Sequence, residues 1–144
     1  GKLRYLSDEL HVRESAVFRF LIGVALEKCA PLHDKTSPPE SRLGLFAELG
    51  LELVDFFEFD AAKLRLLFQP YGDEADIQID NEDFDLVAAY GVSNSLIKSQ
   101  MQKLLGRSMK SEQLRDELHA YLIRKYQTRL EAYRNRTPAD QVAL

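Results

Sequence analysis

The chain has 144 residues, 45% hydrophobic and 29% charged, with a formal net charge of −4, one cysteine and no tryptophan. That length and balance belong to a globular chain able to bury its own core, and they exclude a disordered segment or a disulfide scaffold. No run of about 18 apolar residues and no signal-peptide succession is present, so the reading is of a cytoplasmic protein in a reducing compartment, without a membrane partner.

In chain order, Leu3, Leu6 and Leu10 fall at helical spacing, and after His11-Val12 a second apolar face runs through Val17, Phe18, Leu21, Val24 and Ala25. The stretch APLHDKTSPPE reads as a loop. Within it Ser37-Pro38-Pro39-Glu40 has the form of a capping box, which predicts a third helix from Pro38. That helix carries Leu43, Phe46, Leu49, Leu53, Val54 and Phe57, and Asp60 is placed to cap a shorter fourth one through Phe68. QPYGDE stops it, and ADIQID reads as an extended connection, the one credible strand. Asp80 or Asn81 then caps a helix over Phe84, Leu86, Val87 and Ala88, which Gly91 breaks. Ser93 opens the next, to Leu105. The last and longest element runs from Ser111 to about Arg134, with Leu114, Leu118, Tyr121, Leu122, Tyr126, Leu130 and Tyr133 as its stripe. The expectation is an all-α fold: one compact helical domain over residues 1–137, about seven helices with at most one short strand or hairpin, then a tail at 138–144.

Charge is unevenly distributed. Residues 95–136 hold ten Lys or Arg against four acids, net +6, whereas residues 47–85 hold twelve acids against Lys63 and Arg65, net −10. A bipolar chain steers an anionic partner to one end, pairs subunits head to tail, or merely solvates its helix faces.

Chemistry-bearing motifs are scarce. His11, His33 and His119 are scattered, Cys29 is alone, and no metal-ligand spacing, phosphate-cradling glycine loop or nucleophile elbow occurs. No metal, no cofactor and no catalytic residue is therefore assigned. The acidic run GDEADIQIDNEDFD lacks the central glycine and ligand alternation of a calcium loop. An enzyme built on Asp80, Glu82, Asp83 and Asp85 would lack a recognisable base or nucleophile among its neighbours.

Two segments are candidates for DNA. In residues 3–28, Leu6 and Leu10 close a Leu-rich helix, Val12 sits in a turn, and Ser15 and Arg19 follow at Ser-x-x-x-Arg spacing. This resembles the helix pair of ribbon-helix-helix proteins, and also the small helical DndE family of DNA sulfur modification. The resemblance implies a DNA-binding protein that contacts phosphate through the second helix's N-terminus, with Arg13 and Ser15 facing the backbone, intact or nicked duplex as ligand, and a homo-oligomer. Two departures stand: His11 replaces the usual Gly, and the base-reading strand is reduced to Gly1-Lys2, so either that strand lies upstream or the fold is only a cousin.

The second segment, residues 85–107, resembles a helix-turn-helix in Leu86, Val87, Tyr90, Gly91, Val92, Ser93, Leu96 and Ile97. Gly91 is expected to supply a positive φ and Ser93 to cap the second helix. Ser93, Asn94, Ser95 and Lys98 would face the nucleic acid, and Lys103, Arg107 and Lys110 its phosphates. The leading expectation is thus a non-enzymatic DNA-binding protein, regulatory or accessory to DNA processing, using its basic C-terminal third. The alternative is a helical adaptor or oligomerisation protein that meets protein partners through its acidic middle and basic final helix, where tyrosine and arginine suit an interface.

Overall fold

A computed structural model describes residues 1–69 and 77–136. The fold is all-α: the described residues hold eight α-helices and the 3-10 turn Ser111–Gln113, and no strand occurs among them. Packing divides the chain after Ser37 into two compact units, at the Ser-Pro-Pro stretch.

In the first unit α1 spans Lys2–Leu10, α2 Glu14–Lys28 and α3 Ala30–His33. Helix α1 ends in a left-handed residue, His11 at φ 55 and ψ 41. The His11 N–H donates to the Asp8 carbonyl at 3.3 Å and Val12 N–H to Ser7 at 3.1 Å, the paired bonds of a Schellman cap. The Ser7 hydroxyl donates back to the Val12 carbonyl, fixing the turn from the other side. Arg13, extended at φ −71 and ψ 149, then opens α2. Helix α3 is a turn where the sequence reads as loop. It forms because Pro31 sits in the first turn, where no N–H is needed, and because His33 Nε2 donates to the Leu26 carbonyl at 2.8 Å.

The second unit contains α4 (Ser41–Phe57), α5 (Ala61–Phe68), α6 (Asn81–Tyr90), α7 (Asn94–Leu105), the 3-10 turn Ser111–Gln113 and α8 (Leu114–Arg134). Helix α4 starts three residues later than the sequence predicts, and no Ser37 capping box forms. Pro39 keeps Pro38 out of helical conformation; instead Ser41, Arg42 and Leu43 donate three residues back to Pro38, Pro39 and Glu40. The Asp60 and Ser93 caps are as expected, accepting from Lys63 N at 2.8 Å and Leu96 N at 3.3 Å.

Gly91 departs from expectation, with φ at −76 rather than positive. Glycine is needed there for room, because a Cβ would lie 2.8 Å from Val54 Cγ1. Of ADIQID, residues 77–80 lie in an irregular connection pinned by Gln69 Nε2 donating to the Ile79 carbonyl at 2.7 Å; its first two residues, most of QPYGDE and the tail at 138–144 lie outside the described residues.

The core of this unit is organised around Phe46 of α4, which meets Phe68, Phe84 and Tyr126 edge to face at ring centroids 5.2–5.8 Å apart. Leu43, Leu51, Leu64, Ile97, Met101, Leu114, Leu118 and Leu122 complete it. Helix α4 packs principally along α8, with α6 beside it.

Candidate functional site

The opposite charge blocks meet within the second unit. Arg115 of α8 pairs with Glu52 at 2.7 Å and Asp55 at 2.8 Å on α4. Arg129 grips Asp80 through two nitrogens at 2.9 and 3.2 Å and donates to the Gln78 carbonyl at 2.8 Å. Lys125 reaches both Asp80 at 2.7 Å and Asp83 at 2.8 Å. Asp83, 1% exposed, also accepts from Tyr121 at 3.0 Å and from Tyr126, whose oxygen in turn accepts the Asp80 N–H at 3.0 Å. Two carboxylates at the start of α6 are thereby enclosed by four donors on one face of α8.

Electrostatics hold this cluster together as a clamp between α6 and α8. The Arg129 hydrogen bond, aided by Lys125, holds the Asp80 carboxyl below its usual range despite burial. Burial pulls the Lys125 ammonium down, but hydrogen bonds to Asp80, Asp83 and Tyr121 outweigh it and leave it above the ordinary lysine value. Burial, then the bond to Asp83, pushes the Tyr126 hydroxyl far up. Lysine and tyrosine both remain protonated at neutral pH, so neither can serve as a general base. Each of the four carboxylate oxygens accepts from at least one of these donors, and among the described residues no group of three or more His, Cys, Asp or Glu converges on a cation position.

Beside the clamp, α6, α7 and α8 border a cleft of about 380 Å³ with Leu86, Leu104 and Tyr121 in its walls. Glu82, Asp83 and Asp85 of α6 line it together with Lys103 of α7 and Lys125 of α8. Lys103 therefore lines a cleft of mixed charge, while Lys98, five residues earlier, lies about 140° around the helix at 100° per residue. Ser93, Asn94 and Ser95 cluster at the start of α7, with Ser93 Oγ engaged by the Leu96 N–H and 3.4 Å from Ser95 Oγ. Arg107 is committed to Glu117 at 2.7 Å. Lys110 is exposed before the 3-10 turn, its N–H donating to Gln113 Oε1 at 3.2 Å. Arg13 and Ser15 are exposed at the start of α2, in the other unit, beside Glu14 in the same first turn. The sequence-selected residues thus fall into separate groups, and Val92, Leu96 and Leu104, at 89%, 49% and 52% exposure, lie among those of α7.

The most unusual surface is α2. Every residue from Phe18 to Lys28 is exposed, and Val17 in its first turns is the buried one. Phe18, Phe20, Leu21, Ile22, Val24 and Leu26 stand 40–61% exposed. A helix apolar around most of its circumference is normally enclosed by other protein. No helix among the described residues is long and apolar enough to cross a membrane.

No family model matches the chain, and no curated protein or solved structure matches it.

Proposed function

We propose that this protein is a non-catalytic helical interaction module whose docking element is α2. The observation that carries the reading is the run Phe18–Lys28, exposed throughout while six of its residues are large and apolar. Solvent exposure of that much hydrocarbon is unfavourable by about 25 cal/mol for each Å², so a protein surface that covers it is strongly favoured. The charge pattern supports the same reading. Arg107, Arg115, Lys125 and Arg129, four of the ten cations of the basic third, are paired with carboxylates of this chain, and Lys103 lines a cleft together with Glu82 and Asp85. A duplex would have to compete with those internal acids for each phosphate contact.

A fluorescence-anisotropy titration with intact, nicked and single-stranded oligonucleotides at about 50 mM salt, where phosphate attraction is strong, separates this reading from DNA binding. The interaction module is expected to give no signal on any of the three. Duplex binding that disappears in Lys98→Glu/Lys103→Glu with helical content unchanged would overturn it in favour of a DNA-binding regulatory or accessory protein.

A further inference from the structure

We propose that the cleft bordered by α6, α7 and α8 binds a small zwitterion with an apolar body, of the size of a dipeptide. Its ammonium is held at Glu82, its carboxylate at Lys103, and its hydrocarbon lies against Leu86, Leu104 and the Tyr121 ring. Placement along the helices is the first reason. Glu82, Asp85 and Leu86 stand at i, i+3 and i+4 on α6, and Gln100, Lys103 and Leu104 repeat that spacing on α7. Each helix thus turns one face, two polar residues and a leucine, to the cleft. Tyr121 and Lys125, four apart on α8, complete it. The volume of about 380 Å³ lies within the roughly 300–1,000 Å³ of small-ligand sites, which set a few polar groups among apolar walls.

Charge gives the second reason. Of the charged residues that line the cleft, Asp83 pairs with Lys125 at 2.8 Å and Asp85 with Arg65 at 2.8 Å. Glu82 and Lys103 are left over. Neither side chain has an ion-pair or hydrogen-bond partner among the described residues, and they do not pair with each other. The cleft therefore carries one uncompensated carboxylate on α6 and one uncompensated ammonium on α7.

Those two charges select among ligands. A simple anion would meet the α6 carboxylates, a simple cation would meet Lys103 and Lys125, and an uncharged molecule would engage neither Glu82 nor Lys103. A zwitterion gives each its counter-ion, with a charge-assisted hydrogen bond at both ends. Leu104, at 52% exposure, and the half-buried Tyr121 offer apolar surface for the body between those ends. Gln100, one turn before Lys103, carries both a donor and an acceptor, which suits the peptide group of a dipeptide.

The test titrates the full chain with leucyl-phenylalanine, its N-acetyl form and its C-terminal amide, followed by amide chemical shifts. The free dipeptide is expected to bind in the micromolar-to-millimolar range and to move the amides of residues 82–86 and 100–104, not those of α2. Either cap should weaken binding roughly three- to fivefold, the worth of one exposed charge pair. Glu82→Gln should weaken the free dipeptide and the C-terminal amide by that factor and leave the N-acetyl form unchanged. Lys103→Gln should weaken the free dipeptide and the N-acetyl form and leave the C-terminal amide unchanged. Both residues are exposed, so neither substitution threatens the fold. No change in shifts up to about 10 mM dipeptide, beyond the millimolar range, overturns the site. Cleft binding that both caps leave unaltered overturns the zwitterion, and a loss on capping that the two variants do not reproduce overturns the assignment of Glu82 and Lys103. Shifts confined to α2 amides overturn the cleft as the site and leave the interaction module standing.

Discussion

Asp83 and Tyr126 are buried together between α6 and α8, at 1% and 0% exposure, with the phenol donating to the carboxylate. The same carboxylate receives Lys125 and Tyr121, so it is a buried charge compensated from three sides. Such a group is costly to break from one side only, because the partners left behind stay desolvated. Asp83→Ala is expected to lose about 2–4 kcal/mol of unfolding free energy and Tyr126→Phe about 1–3 kcal/mol. Urea denaturation at pH 7 checks both. If Asp83→Ala unfolds at the wild-type midpoint, the clamp does not hold α6 to α8.

The same residues set how stability follows pH. Asp80 is held below the ordinary carboxylate value by Arg129 and then Lys125, so its contribution is present above that value and is lost as pH falls toward the depressed one. Lys125 and Tyr126 stand above their ordinary values, so theirs is complete below those values and is lost as pH rises through the folded ones. The melting temperature should therefore be flat between about pH 5 and 9, fall below about pH 4 and fall again above about pH 10. Asp80→Asn should lower the plateau and make the acid limb shallower, which differential scanning calorimetry across the range measures.

The close approach of α6 to α4 predicts a coupled pair. A Cβ at residue 91 would lie 2.8 Å from Val54 Cγ1, and Val54 is a stiff β-branched residue, 4% exposed. Gly91→Ala should cost about 1–3 kcal/mol by overpacking. Val54→Ala removes the obstructing methyl groups, so the double variant should be more stable than the two single losses added together. Strict additivity in denaturant titrations would show that the contact is relieved elsewhere.

Local signals in this chain are legible and distant ones are not. Asp60 and Ser93 are read correctly as caps because the cap and its amide are three residues apart, and the stripe from Leu114 to Tyr126 is read as core because period alone places it. The clamp escapes a linear reading, since Asp83 meets Tyr121 and Tyr126 across 38 and 43 residues and Arg115 meets Glu52 across 63. The one signal was the pair of opposed charge blocks, which also fits an anionic partner, steered to one end, or solvated faces. Ser37 shows a further limit: the capping pattern was present, but the Pro-Pro step after it forbids the helical geometry the pattern needs. For α2 the apolar residues were plain in the sequence. That they stay uncovered depends on how little of the helix α1 spans, because α1 is nine residues long against fifteen for α2.

His11 gives the last prediction, because the structure supplies a reason for glycine where the sequence has none. At φ 55 it occupies the left-handed region, where a Cβ crowds the following carbonyl and costs about 1–2 kcal/mol relative to the right-handed conformation. The Schellman bonds from His11 and Val12 to Asp8 and Ser7 require that conformation, so the strain is retained to close the turn between α1 and α2. His11→Gly removes the Cβ while keeping both bonds, though the unfolded chain gains freedom in exchange. The net expectation is stabilisation of the first unit by up to about 1 kcal/mol, visible as slower hydrogen exchange of the α1 amides with no change in those of α8. His11→Val, β-branched and poorly suited to positive φ, should act in the opposite direction. If glycine and valine speed α1 exchange alike, the turn is held by the imidazole itself rather than by backbone geometry, and the assignment of this residue as a strained cap is wrong.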